Sequence, residues 1–191
     1  MEGLGALIGH ISAALTSLGR AHALVGGLAV SARTEPRFTR DVDVAVVVRD
    51  DADAESLINE LRAYGFAPFA IVEHDVTHRL ATVRLRTRQR GVVDVLLASS
   101  GIEDRVVAAA TRLEVTPGLV VPVAAAEHLA AMKVLSASDR RPQDVADLHA
   151  LVRAGLDVPA VLGLLQQIAA AGCARDQDLA AKLQGFLESW R

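Results

Sequence analysis

Apolar residues recur at helical spacing from the start of the chain. Leu4, Leu7, Ile8, Ile11, Leu15 and Leu18 share one face, and Gly19 is a natural stop. Residues 21–25 read as a short buried strand, and Gly26-Gly27 opens a second helix through Ala32. Residues 41–48 begin in alternation and end in a fully apolar run, which predicts a strand central in a sheet. Asp53 is placed to cap a helix carrying Leu57, Ile58, Leu61 and Tyr64 and closed by Gly65. Two more strands are expected at about 80–88 and 92–97, with Gln89-Arg90-Gly91 as the tight connection. Residues 102–111 predict a helix, and 113–115 and 119–123 read as extended on either side of the Pro117-Gly118 turn.

From Ala124 the pattern changes and nothing afterwards reads as strand. One helix runs to about Ala137, and a second follows Pro142 with Val145, Leu148, Leu151 and Val152 on one side. A third starts near Asp157 and carries Val161, Leu162, Leu165 and Ile168, and the last carries Leu179, Leu183, Phe186 and Trp190. The expectation is an α+β protein: a mixed β-sheet core with flanking helices over residues 1–123 and a helical C-terminal region over 124–191. No internal repeat or low-complexity tract interrupts it.

A chain of 191 residues suits one compact domain or a core with a smaller appendage. With 51% hydrophobic and 23% charged residues it has the balance of a globular protein. No apolar run approaches the roughly 20 residues that cross a bilayer, and the N-terminus lacks the features of a signal peptide, so no membrane association is expected. The single cysteine, Cys173, excludes an internal disulfide and fits a reducing, cytoplasmic setting. A net charge of −3 argues against a globally basic nucleic-acid binder. Of 20 basic residues only Lys133 and Lys182 are lysines, the mark of a GC-rich bacterial coding bias, against which Lys133 stands out.

The candidate chemistry begins with Asp41 and Asp43. Side chains two apart on a strand project together, and two like charges held that close repel unless a cation sits between them. Hard carboxylate oxygens suit Mg²⁺ or Mn²⁺. The plainer alternative is a strand just leaving a polar loop, with both groups solvated. Asp94, inside an apolar strand (Val92-Val-Asp-Val-Leu-Leu97), would pay a large desolvation penalty if unpaired. Aimed at the first pair it would supply a third ligand, and three carboxylates can hold two divalent ions; otherwise it lies on the wet face of a one-sided sheet. Gly26-Gly27, between strand and helix, offers unpaired backbone amides to a triphosphate, or serves only as a turn.

Arg37 and Arg40 flank Thr39 just before the acidic pair and either steady phosphate oxygens or balance local charge. Arg84, Arg86, Arg88 and Arg90 alternate, forming a basic ladder on one strand face that is either solvated or a contact surface for RNA or triphosphate. His74 and His78, with Glu73 and Asp75, read as a polar loop. Lys133 lies on a helix rich in Ala, Leu and Met, where a buried amine wants an anionic partner. Asp144 and Asp147, one turn apart on the next helix, would provide it in a purely structural ion pair.

Taken in order, apolar-Gly-Gly, a short helix, Arg-x-Thr-x-Asp-x-Asp and a later apolar-Asp-apolar strand resemble the nucleotidyltransferase superfamily. The stretch Val121-Pro-Val-Ala-Ala-Ala-Glu-His-Leu-Ala-Ala-Met-Lys133, with Arg141-Pro-Gln-Asp144-Val-Ala-Asp147, resembles the Lys then Arg-x-x-Asp-x-x-Asp segment of AbiEii-type nucleotidyltransferases, bacterial enzymes often found as toxins of toxin–antitoxin systems. The resemblance spans roughly residues 20–150. It implies that Asp41, Asp43 and Asp94 bind metal, that Gly26 and Gly27 cradle phosphates beside Thr39 and Arg40, and that Lys133 contacts the triphosphate with Asp144 nearby. Many toxin-type members have Gly-Ser where this chain has Gly27, and antibiotic-modifying relatives share Gly-Gly. The implied reaction is transfer of a nucleoside monophosphate from an NTP, with release of pyrophosphate. The acceptor would be RNA (such as the end of a tRNA), a small molecule such as an antibiotic hydroxyl, or a protein hydroxyl, and an antitoxin protein would be a partner. The rival reading is a non-catalytic relative that binds nucleotide or a partner without turnover.

Overall fold

The computed structural model of the protein describes residues 3–35, 39, 41–138 and 140–189. Helix α1 (Leu4–Ser17) leads into strand β1 (His22–Val25), helix α2 (Gly26–Arg33), strand β2 (Val42–Val46) and helix α3 (Asp51–Ala63). Strands β3 (Ala67–Glu73), β4 (Leu80–Arg86) and β5 (Val92–Leu96) follow, then helix α4 (Glu103–Ala108) and strands β6 (Thr111–Thr116) and β7 (Leu119–Val123). The rest is helical: α5 (Ala126–Ser136), α6 (Pro142–Arg153), α7 (Val158–Ala170) and α8 (Leu179–Ser189).

The seven strands form one mixed sheet in the order β3-β4-β5-β2-β1-β7-β6. The β2–β5 and β1–β7 pairings are parallel and the other four antiparallel. The apolar run expected to be central is central: β2 lies between β5 and β1, and Val42, Val44, Ala45 and Val46 are buried. On β4, β5 and β2 the residues Val83, Leu85, Val93, Val95, Val42 and Val44 are buried and alternate with Arg84, Asp94 and Asp43, so the sheet has an apolar face and a polar one. One continuous buried cluster joins the sheet to helices from both ends of the chain, including Ile11 and Leu15 of α1, Leu57 and Leu61 of α3, Leu129 of α5 and Leu165 of α7. No helix among the described residues is long and apolar enough to cross a membrane.

Four local expectations are corrected. First, strand β3 has no counterpart in the sequence reading. It is an edge strand exposed on most of its length, so burial imposes no alternation, and an edge tolerates Pro68 because its outer N–H needs no ladder partner. Second, the helix after Ile102 is short, ending at Ala108, and residues 111–116 join the sheet. Third, Asp50 rather than Asp53 caps α3, its Oδ1 accepting from the Asp53 amide at 2.8 Å. The Asp53 carboxylate instead accepts from Arg20 Nη1 at 2.8 Å and the Arg49 amide at 3.1 Å, tying the β2–α3 turn to the end of α1. Fourth, the basic ladder is shorter than expected. The strand ends at Arg86, and Arg88 and Arg90 belong to the turn that Thr87 and Gly91 close, with Arg90 in the left-handed region.

Candidate active site

Register across the sheet assembles the site. Val25 of β1 lies opposite Asp43 of β2, Asp43 beside Asp94 of β5, and Asp94 opposite Arg84 of β4. Four adjacent strands thus contribute one row, and Asp41 sits one residue before β2. The row forms one wall of a cleft of about 440 Å³, whose lining includes Gly26, Gly27, Thr39, Asp41, Asp43 and Asp94. Lys133, Arg141 and Asp144 line the same cleft from α5 and α6. The structure therefore gathers Gly26, Gly27, Thr39, Asp41, Asp43, Asp94, Lys133 and Asp144 around one space. Arg37 and Arg40 lie outside the described residues, as does Trp190 of the last helix.

Gly26 and Asp43 are in intimate contact. Gly26 has φ +68°, and a Cβ placed there would overlap the Asp43 carboxylate. Only glycine meets both demands, since left-handed backbone is disfavoured for residues with a Cβ and no space exists for one here. Helix α2 then starts with no side chain capping its first amides, so those donors lie at the glycine turn.

The electrostatics of the row are unbalanced. The Asp43 carboxyl is pushed up to about 7, chiefly by desolvation and next by the Asp94 charge, with Asp41 adding to the rise and Lys133 and Arg141 opposing it. Asp94 has found a different partner from the one its sequence context left open. Arg84 grips it through two parallel bonds, Nε to Oδ1 at 2.7 Å and Nη2 to Oδ2 at 2.6 Å. That pair holds the Arg84 guanidinium well above its usual range. Among the described residues no group of three His, Cys, Asp or Glu side chains forms a ready-made metal cage. Hard oxygen donors beside a carboxyl raised by desolvation and by its acidic neighbours nonetheless fit a magnesium-like ion in type. Such ions commonly take one or two protein carboxylates and complete their shell with substrate phosphates and water. Asp41 and Asp43 supply that number.

The opposite wall is balanced. Lys133 Nζ bonds Asp144 Oδ1 at 2.6 Å and Asp147 Oδ2 at 2.8 Å. Asp144 also accepts from Arg141 Nε at 2.7 Å and Ser136 Oγ at 3.0 Å. Both carboxylates are essentially inaccessible, so this knot ties α5 to α6 with two cations against two anions. The sequence located these residues; it could not show how completely they satisfy one another.

Three contributors went unread in the sequence. Arg84 was seen only as part of a ladder, not as the partner of Asp94. Phe69, exposed on β3, lies beneath the Arg86 guanidinium, 4.1 Å from its ring centroid. Arg175, in the α7–α8 connection, lines the cleft, and nothing in the periodicity around it marks it out.

The model of a family described as nucleotidyl transferase AbiEii toxin, type IV toxin–antitoxin system, matches residues 12–189. Among solved structures, an antigenic nucleotidyltransferase-like protein from Paracoccidioides brasiliensis is 19% identical with a TM-score of 0.56, covering 95% of this chain and 92% of that one. The antibiotic-resistance factor ANT(2'')-Ia is 16% identical with a TM-score of 0.58, covering 89% and 93%. A second structure of it, in complex with adenylyl-2''-tobramycin, gives 13% and 0.59, covering 87% and 97%. At these identities the likeness establishes a shared fold. No curated protein sequence matches the chain significantly.

Proposed function

We propose, from the premise that this chain belongs to the AbiEii nucleotidyltransferase family, that it moves a nucleoside monophosphate from an NTP onto the end of an RNA, with a tRNA as the first acceptor to test. The observation that carries the reading is the contact between the glycine turn and Asp43, which sets a phosphate-binding backbone directly against a charge-frustrated carboxylate. Gly26 and Gly27 hold the phosphates through backbone amides. Asp41 and Asp43 hold Mg²⁺ or Mn²⁺, and Asp94 joins them once Arg84, whose side chain is nearly half exposed, turns towards substrate. When bound, the cation supplies neutralisation of charge that develops on the phosphates. An acceptor hydroxyl releases its proton to solvent as its oxygen bonds the α-phosphorus and the bond to the pyrophosphate oxygen breaks, and the residues work by position and electrostatics. Lys133 borders the phosphate site and keeps its two carboxylates. On this reading residues up to 123 supply the reacting wall, and the helical region from 124 supplies the wall that closes on the nucleotide.

Support for an RNA acceptor comes from the open face of β3 and β4 beside the carboxylates. Arg84 and Arg86 project there and Phe69 is exposed with a guanidinium over its ring, a basic surface with an aromatic that suits phosphate and base together. Cys173, buried and unpaired, agrees with a reducing cytoplasm, and the toxin family suggests an antitoxin that limits the activity.

The test is incubation with each labelled triphosphate, total cellular RNA and Mg²⁺, following label into RNA and pyrophosphate into solution. Metal-dependent labelling lost in Asp43→Ala supports the reading. Nucleotide binding with no pyrophosphate released on any RNA overturns it in favour of a binding module, and label on a small molecule or protein overturns the acceptor alone.

A further inference from the structure

The cations that face the cleft differ in how far they are already engaged. Arg84 is committed to Asp94, and Lys133 and Arg141 are committed to Asp144 and Asp147. A triphosphate entering between these walls meets carboxylates on one side and a neutral knot on the other. Arg175 is different. It lines the cleft, and among the described residues its guanidinium makes one polar contact, Nη2 donating to the Ser99 carbonyl at 3.3 Å, with no ion pair to a carboxylate.

The chain goes to some length to place it. Arg175 and Asp176 are consecutive residues in the left-handed region, at φ +55° and +56°, a conformation side chains with a Cβ resist. Fastenings on both sides impose it. Upstream, buried Cys173 packs on Gly101, where a Cβ would lie 3.0 Å from Sγ and 2.6 Å from the Ala171 Cβ, so only glycine lets the loop approach. Downstream, Gln177 Nε2 donates to the Leu135 carbonyl at 3.4 Å, and Lys182 Nζ bonds both Gln177 Oε1 and the Ala137 carbonyl at 2.6 Å. The Ser99 anchor is itself rigid, because the next residue, Ser100, gives its amide and hydroxyl to buried Glu103 at 2.7 and 2.8 Å. The loop is therefore pinned between the end of β5 and the end of α5, with Arg175 at the cleft.

We infer that Arg175 is a phosphate-binding residue of the nucleotide site, supplied by the C-terminal helical region. The assignment rests on the nucleotidyl-transfer reading above. A guanidinium with one weak neutral contact has its other donors open to phosphate oxygens, and it meets them without first abandoning a carboxylate.

The experiment is calorimetric titration of magnesium tripolyphosphate and of the four magnesium NTPs into full-length wild type, Arg175→Gly and Arg175→Lys. Glycine is the informative replacement because it removes the guanidinium while relaxing the left-handed backbone, so the melting temperature should hold or rise. Expected is a weakening of tripolyphosphate and NTP binding of about 10- to 100-fold in Arg175→Gly, partly restored in Arg175→Lys. Wild-type affinity in a folded Arg175→Gly overturns the assignment while leaving the nucleotidyl-transfer reading intact. Wild type that binds no magnesium NTP overturns that reading and this inference together.

Discussion

The two walls of the cleft are built from the same kinds of side chain and solve opposite problems. On the helical wall, Lys133 and Arg141 meet Asp144 and Asp147 at 2.6–2.8 Å, and every charge has its complement. On the sheet wall, Asp94 takes up the Arg84 guanidinium, and Asp43 beside it is left with its carboxyl pushed up to about 7 by desolvation and by the Asp94 charge. A balanced buried knot fixes the mutual position of two helices. An unbalanced row costs stability in the empty protein when it is ionised, and a bound cation or a proton relieves it. Charge frustration, rather than charge itself, separates the wall we propose for the reaction from the wall that ties the helices together.

That contrast breaks most sharply on two substitutions. Asp43→Ala should reduce nucleotidyl transfer at least about 1,000-fold while leaving the melting temperature of the metal-free protein unchanged or higher, because it removes a strained charge. Lys133→Ala should do the reverse to the fold, costing about 3–5 kcal/mol in denaturant unfolding, since two buried carboxylates lose their shared cation. If both variants lose activity and neither loses stability, the two walls do not differ as described. Between them stands Gly26→Ala. Gly19→Ala, at φ +66° with open space around it, should show only the backbone cost of about 1–2 kcal/mol. Gly26→Ala adds the overlap with Asp43, so unfolding measurements on the pair should differ by at least about 1 kcal/mol, and transfer should fall with the displaced carboxylate.

The sequence carried the sheet wall better than its connections. Asp41-x-Asp43 and the apolar context of Asp94 were legible because strand alternation and desolvation are local rules. The pairing of Asp94 with Arg84 was not, because it depends on a turn. Placing the hairpin turn at Gln89-Arg90-Gly91 brings Arg86 opposite Asp94. The actual turn spans residues 88–90, closed by the Thr87–Gly91 backbone bond, and a shift of one residue in the turn moves the partner by two. Arg90 takes the left-handed position in the turn, while Gly91 makes room for Leu7, whose methyls lie 3.0 Å from where its Cβ would be. Strand β3 was invisible for a related reason: an exposed edge leaves no burial pattern to read. Arg175 owes its position to packing between segments far apart in the chain, which no local window contains.

A pH-dependent effect of similar size is the most direct measure of frustration. In the metal-free protein the folded-state Asp43 carboxyl is pushed up to about 7, chiefly by desolvation, against 3.8 for the free carboxyl of the unfolded chain. Between those values the native state holds a proton the unfolded chain has already released, so stability is full below about pH 4, declines as pH rises towards 7 and levels off above it. The decline attributable to this carboxyl should be about 1–3 kcal/mol, part of the electrostatic cost being relaxed by water entering the cleft. Asp43→Asn, which cannot ionise, should flatten that part of the curve, and saturating Mg²⁺ should flatten it in the wild type, since an ion that binds the charged form offsets the repulsion. Urea midpoints measured from pH 4 to 8 for the two proteins, with and without Mg²⁺, decide the matter. Parallel curves for wild type and Asp43→Asn would mean that the sheet wall is as settled as the helical one.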